Sequence, residues 1–444
     1  MKRLLISLLA GLAAAGCAGG AADCRTDVLV IGGTTSGTTA AIASARMGVR
    51  TLIVEQTPML GGMLTAQGVC ATDGNFNLPS GLWNEFRERL RQRYGGIGAL
   101  WTGWVSTTLF EPHVADSIFK AMAAAEPQLE VRYGYRLTGI LRRSDRVTGA
   151  GMDSRRETGE ELAPDEANDV VQDLTLVAIL KDYGPGNDRT IPRPEGYDPA
   201  EFEGCYDLPG VESAERMLEY GRMPNHKYMI NWPKAGNDIN LNVVELPFAE
   251  REAALEAARQ KTLRFVYHIQ HTLGYRHLGP ADDEFDTPDR LAYLPYHREG
   301  RRAKGVVLMT LDDITQRYDR PTQLYRTGIS VGDYPVDHHR NCRTDVEKIH
   351  FPPVPSFSIP LGALIPERIE NLIVADKAIS VSNLANGSTR LQPVVMLTGQ
   401  AAGTLAALSV SGGCTPREVA VRDVQRALLE QKAYIAPLYD VTPD

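Results

Sequence analysis

The sequence predicts an α/β fold: a Rossmann-like domain with a parallel sheet, assembled from two separated stretches of chain, with an α+β cap domain inserted between them. Three observations predict it. Val28–Ile31 is a short β-branched apolar run bounded by Gly32-Gly33, as a buried parallel strand requires. A stretch of small helix-forming residues, Ser36–Met47, follows, stops at Gly48, and leads into a second strand, VRTLIVE, ending at Glu55. The last hundred residues return to the same small and apolar character: NLIVADKAI reads as a strand with its turn, and VVMLTGQAAGTLAALSVSGG as a long, tightly packable helix. The expected division is 1–22 as a leader, 23–150 and 350–444 as the two parts of the discontinuous domain, and 151–349 as the insertion.

The leader comes first in the chain. Lys2 and Arg3 precede an apolar stretch, Leu4–Ala15, and then small residues, which is the pattern of a bacterial export signal and too short for a comfortable membrane span. Ala14-Ala15-Gly16-Cys17 resembles a lipoprotein cleavage box in which Cys17 would carry lipid. The expectation is therefore an exported protein, periplasmic or at the outer surface, with membrane contact only through that lipid. The whole chain has 43% hydrophobic and 23% charged residues over 444 positions, enough for a deep core. Its net charge of -8 argues against a nucleic-acid partner, which would demand clustered Lys and Arg. The six cysteines are widely spread with no CxxC pair, so no metal site is expected.

Leu82–Gly96 and Pro112–Glu126 place apolar residues at helical spacing, and Leu129–Gly151 alternates as strands around turns. The middle, about 152–345, is polar and loop-rich, with one long helical run at Pro247–Gly274; this change of composition marks the insertion. No internal repeat is present.

Gly32-Gly33-Thr34-Thr35-Ser36-Gly37 has the spacing of GxGxxG with Thr34 at the second glycine position. The first glycine permits a tight strand-to-helix turn and the last a close approach of helix to strand. The helix N-terminus then offers free N–H groups and a favourable dipole to a pyrophosphate. Glu55, at the end of the second strand, is placed to accept hydrogen bonds from a ribose. Strand, glycines, helix, strand and carboxylate in this order point to an adenine dinucleotide.

Gly32–Gly37, Glu55, Gly61–Met63, Tyr296–Arg302 (YHREGRR), Gly332–His338 (GDYPVDH) and Asn371–Gly403 together resemble the FAD-dependent oxidoreductase family, in its secreted branch with the glutathione-reductase-type FAD fold. The resemblance covers most of the chain beyond the leader. It implies FAD as cofactor, held by Gly32, Gly33, Thr34, Gly37 and Glu55 and by a loop through Gly61, Gly62 and Met63. It also implies that Asp376 or its neighbours lie near the phosphate and ribitol chain. Arg390, Gln392 and Pro393 would stand where the C-terminal helix, starting near Val394, faces the flavin ring, its dipole stabilising charge on the reduced ring. The sequence departs from the family pattern at Gly149–Asp153, where no strand ending in Ala-Thr-Gly or Ala-Thr-Glu appears.

The family resemblance leaves substrate chemistry to local residues. A neutral His can take a hydroxyl proton and an Arg can hold a carboxylate or oxyanion, so His338, His297, Arg298 and Arg302 are the catalytic candidates. Glu299, Arg301, Asp333, Tyr334, Asp337, His339, Asn231, Trp232, Asn237 and Asp238 are further polar residues of the same blocks. The expected activity is hydride removal from a small polar alcohol or sugar, with an unidentified electron acceptor. The alternatives are a non-catalytic exported binding protein on the same fold and an NAD-dependent dehydrogenase.

Overall fold

The computed structural model describes residues 25–137, 152–316, 318–340, 342 and 348–437. The leader, the Cys17 site and the Gly149–Gly151 portion of the departure from the family pattern lie outside the described residues.

The chain opens with β1 (Val28–Ile31), α1 (Thr35–Arg46) and β2 (Thr51–Glu55), one parallel βαβ unit in which Val28 pairs with Thr51 and Ile31 with Val54. Two helices follow, α2 (Gly81–Tyr94) and α3 (Pro112–Ala124). The second delivers β3 (Leu129–Tyr133) to the far side of β2, again in parallel, with Thr51 opposite Leu129. Sheet order is β1-β2-β3. Parallel neighbours need a crossover, and α1 and α3 supply them. The alternation expected over Leu129–Gly151 yields a strand only to Tyr133 among the described residues.

The middle region starts with α4 (Arg155–Thr158) and then builds antiparallel structure: β4 (Leu174–Thr175), β5 (Ala178–Asp182), α5 (Ala214–Glu219), β6 (Arg222–Met223), β7 (Lys227–Ile230) and β8 (Asp238–Ile239). The expected long helix is α6 (Phe248–Tyr267), which continues through a wider π-type turn at His268–Thr272. With β9 (Leu278–Pro280) the main sheet has the order β6-β7-β5-β9. Its apolar face does not form a core of its own: Val177, Ile179, Phe265 and Ala292 join Trp83, Phe86, Phe110 and Phe119 of the first region in one buried cluster.

After α7 (Leu311–Thr315), β10 (Gly328–Gly332) pairs antiparallel with β11 (Phe357–Pro360), so the division expected at 349/350 falls between two paired strands. The chain then forms α8 (Asn383–Thr389), α9 (Gln392–Gly412) and α10 (Val421–Glu430). The strand expected in NLIVADKAI is not formed. Asp376 there adopts a left-handed backbone (φ 65°), and its N–H reaches Ser36 of α1. The helix α9 is long and apolar enough to cross a membrane, yet most of it is buried inside the fold. It lies against α1 at backbone contact: a Cβ on Gly399 would stand 2.3 Å from the Ser36 carbonyl oxygen, and one on Gly403 2.0 Å from that of Ala40. Small residues on both helices permit the approach, which closes the discontinuous domain across more than 350 positions of sequence.

Candidate functional site

The site begins at the turn from β1 into α1. Gly32 has φ +94°, a conformation costly for any residue with a side chain, and its N–H donates to the Val54 carbonyl at 2.8 Å. A Cβ on Gly37 would stand 2.1 Å from the Gly32 carbonyl oxygen, so the last glycine is the point where helix meets strand. Thr34, at the middle glycine position, is exposed, and its Oγ1 caps α1 by accepting from the Gly37 N–H at 3.0 Å. The threonine thus serves the helix while leaving the outer side of the turn open.

Glu55 is buried beneath this turn. One carboxylate oxygen accepts from the Gly33 N–H at 2.6 Å and the other from the Thr57 N–H at 2.7 Å. The carboxylate therefore fixes the glycine turn as well as ending β2, and each oxygen keeps a second lone pair. Gly61 and Gly62 return over the same place. Gly61 donates to the Gly33 carbonyl at 2.8 Å, Thr35 Oγ1 donates to the Gly61 carbonyl at 2.7 Å, and a Cβ on Gly62 would stand 2.7 Å from Thr34 Cα. Met63 follows, buried, with its sulfur 3.0 Å from Gln392 Nε2.

The second chain end arrives here. The Asp376 N–H donates to Ser36 Oγ at 3.0 Å, and Thr39 Oγ1 donates to the Met396 carbonyl at 2.9 Å. Gln392 and Pro393 open α9. The structure thus gathers Gly32, Gly33, Thr34, Gly37, Glu55, Gly61, Gly62, Met63, Asp376, Gln392 and Pro393 around one junction. Several buried polar atoms beside it have no hydrogen-bond partner among the described residues: Asn386 Oδ1, Ser388 Oγ, Thr389 Oγ1, Arg390 Nε and Gln392 Oε1. Buried orphans of this kind are uncommon, and their clustering at the α8–α9 joint marks a place suited to a polar ligand.

Arg390 belongs to an adjoining cluster. It donates to Tyr296 Oη at 2.8 Å and to Asp337 Oδ2 at 2.7 Å. Burial alone would raise the Asp337 carboxyl, but the hydrogen bond from His339 and the charge of Arg390 hold it well below the usual carboxylate range. The Tyr296 ring carries the Arg298 guanidinium at 4.8 Å and the Lys377 ammonium at 5.0 Å. Lys377 donates to the His297 carbonyl at 2.7 Å, and burial lowers its pKa to about 8.

The four catalytic candidates fall on this cluster's edge. Arg298 is buried, paired with Asp238 at 3.2 Å and bonded to the Asp173 carbonyl at 2.6 Å. Arg302 pairs with Asp153 at 3.0 Å. Both guanidiniums are engaged by the scaffold. His338 Nδ1 lies 2.8 Å from Arg340 and Nε2 lies 3.0 Å from the Asn383 carbonyl, so neither nitrogen offers a lone pair for a substrate proton. Burial, then the charges of Arg340 and Arg390, hold its pKa well below the ordinary histidine value. The His297 ring has no hydrogen bond to a described residue, but burial lowers its pKa to about 4.

Sequence reasoning missed two features. Asp73, in Ala71-Thr72-Asp73-Gly74, faces the Arg390–Asp337 pair. Its only signal was a carboxylate before a glycine. Lys227 is buried with Glu111 at 2.7 Å, Glu284 at 2.5 Å and Asp283 at 2.9 Å. Glu111, His113 and Glu284 together have the spacing of a cation site, but the Lys227 ammonium already stands among them. The four cysteines among the described residues, Cys70, Cys205, Cys342 and Cys414, are all free thiols.

Comparison with known proteins gives one family match: the model described as FAD dependent oxidoreductase covers residues 27–165 and 150–428. No curated protein matches the sequence. Among solved structures the chain is similar to p-nitrophenol 4-monooxygenase PnpA from Pseudomonas putida DLL-E4, at 10% identity over 91% of this chain and 84% of that one, TM-score 0.32. It is also similar to a geranylgeranyl bacteriochlorophyll reductase-like protein from Thermoplasma acidophilum, at 12% identity over 91% and 82%, TM-score 0.36. A third, CtdE in complex with FAD, shows 13% identity over 92% and 91%, TM-score 0.29.

Proposed function

The chain belongs to the FAD-dependent oxidoreductase family, and from that premise we propose that it oxidises a small polar substrate, an alcohol or a sugar, by hydride removal. FAD is its cofactor, and it accepts the hydride when bound.

The residues at the junction fit that cofactor. The Gly32–Gly37 turn is a cradle that a Cβ would fill, and the N-terminus of α1 behind it favours a pyrophosphate. Glu55 holds the turn and retains lone pairs for ribose hydroxyls. The unpartnered atoms of Asn386, Ser388, Thr389, Arg390 and Gln392 offer donors and acceptors where α9 starts, suiting the pyrimidine edge of a flavin. The single observation that carries the proposal is the meeting of the two chain ends through Asp376–Ser36 and Thr39–Met396.

Around that junction the chain supplies orientation and charge. Arg390, braced by Asp337 and Tyr296, presents a fixed cation beside the helix start, where developing negative charge is stabilised. Lys377 adds a second cation, over the same Tyr296 ring as Arg298. Export and the lipid at Cys17 are parts of the proposal that rest on the leader pattern, and the reaction class implies an electron acceptor that reoxidises the flavin.

The purified protein, without added cofactor, is expected to be yellow, with flavin absorbance that dithionite bleaches and that a member of an alcohol and sugar panel also bleaches. A colourless protein that FAD cannot reconstitute defeats the proposal. Bound FAD that no panel member reduces favours a binding protein on the same fold.

A further inference from the structure

Asp73 lies in a loop clamped on both sides. Before it, the Thr72 N–H donates to the Thr108 carbonyl at 3.2 Å and Ser106 Oγ donates to the Thr72 carbonyl at 2.6 Å. After it, a Cβ on Gly74 would stand 3.1 Å from the Asp333 carbonyl oxygen and 3.7 Å from Leu391 Cβ, while Asn75 Nδ2 donates to the Val331 carbonyl at 3.0 Å. The loop is therefore held against the residue that precedes α9, and the half-buried Asp73 side chain faces Asp337, His339 and Arg390 from the C-terminal region. Tyr220 and Tyr334 also lie within its electrostatic reach. Its carboxylate makes no hydrogen bond or ion pair with any described residue.

The other carboxylates nearby are engaged. Asp337 is bound by Arg390 and His339, Asp238 by Arg298, and Glu299 accepts from the Gln172 N–H and from Asn383. Both His338 nitrogens are engaged, as described above. We infer that the Asp73 carboxylate is the proton acceptor of this site, taking the hydroxyl proton of an alcohol or polyol substrate; the inference rests on the oxidoreductase reading. The substrate O–H bond breaks and its proton goes to Asp73. The carbon's hydrogen leaves with its electron pair to the oxidised flavin, and the hydroxyl carbon becomes a carbonyl, so charge and electrons balance without a further reactant. Burial and then the charge of Asp337 raise the Asp73 pKa to about 6, close to the working range of a general base, whereas His297 at about 4 is a much weaker one.

The test compares wild-type holoenzyme with Asp73→Asn and Asp73→Glu, measuring FAD content, FAD affinity and anaerobic flavin bleaching by glycerol, sorbitol and glucose. Wild type is expected to be bleached at a rate that climbs as pH rises through about 6. Asp73→Asn should keep full FAD content and affinity while bleaching at least about a hundredfold more slowly, with that pH limb gone. Asp73→Glu should recover part of the rate and the limb. An Asp73→Asn holoenzyme bleached at the wild-type rate overturns the inference alone. Loss of FAD from both variants overturns it too, by making Asp73 part of the cofactor scaffold. A wild-type holoenzyme bleached by none of the three overturns the reading beneath it, and the inference with it.

Discussion

Gly403→Ala probes the contact that closes the discontinuous domain. Its methyl would stand 2.0 Å from the Ala40 carbonyl oxygen and 2.9 Å from Ala40 Cα, backbone atoms that cannot rotate away. Reaching an ordinary contact distance of about 3.5 Å requires α1 and α9 to part by on the order of 1 Å. Overpacking of this kind costs about 1–3 kcal/mol, and the upper end applies where backbone is struck. Stretching the Thr39–Met396 hydrogen bond, 2.9 Å in the native helix pair, adds about 1 kcal/mol. Alanine returns about 1 kcal/mol in helix propensity. The expected outcome is a loss of about 1–3 kcal/mol, measured by denaturant unfolding at a fixed excess of FAD, because bound ligand shifts apparent stability. Gly98→Ala, whose Cβ meets nothing within 4 Å, is the control and should stay within about 0.5 kcal/mol of wild type. A Gly403→Ala protein as stable as wild type, or stabilised by its propensity, would refute the reasoning.

Glu55→Ala strands the Gly33 and Thr57 amides and should weaken FAD binding by about 1–3 kcal/mol, read by fluorescence titration; unchanged affinity would remove Glu55 from the site. Lys227→Met leaves Glu111 and Glu284 buried without their cation, and unfolding should show a loss of about 3–5 kcal/mol with the flavin spectrum of the folded protein unchanged. His338→Ala removes the acceptor of Arg340 and the donor to Asn383; it should lower stability while leaving the flavin reduction rate near wild type, and a large fall in that rate would return His338 to the chemistry. Arg390→Gln tests the Asp337 pair by pH. A carboxyl held below its unfolded value stabilises the fold above that value, near 4, and loses the contribution as pH falls further. The stability gap between wild type and Arg390→Gln should therefore be widest above about pH 5 and narrow below about pH 4, and a pH-independent gap would show that the pair contributes nothing electrostatic.

The nucleotide half of the site was legible because its constraints are local and backbone-based. Gly32 and Gly37 stand where a turn and a helix–strand contact admit no side chain, and Glu55 ends the adjacent strand, so spacing alone locates them. Thr34 was legible as a departure from the glycine pattern but not as the helix cap that it forms. The long helices were readable, α2 and α3 from their apolar spacing and α9 from its run of small and apolar residues, nearly to their ends. The strand expected in NLIVADKAI failed because its β propensity yields to a tertiary demand: the left-handed turn at Asp376 that brings the chain to Ser36. The substrate side was hardly legible at all. Arg298, Arg302 and His338 carry the right chemistry by residue type, but Asp238, Asp153, Arg340 and the Asn383 carbonyl, distant in sequence or hidden in the backbone, engage them. Asp73 is the converse, a carboxylate that no motif singles out and that has no hydrogen bond or ion pair among the described residues.

The central claim is that FAD lies across the junction of the two chain ends, and a crystal structure of the protein with FAD bound tests it most directly. The account predicts the pyrophosphate against Gly32–Gly37, the ribose at Glu55 and the isoalloxazine ring at Gln392 and the start of α9. FAD seated elsewhere, or the junction filled by Met63 and Gln392 with no flavin between the two ends, would contradict it.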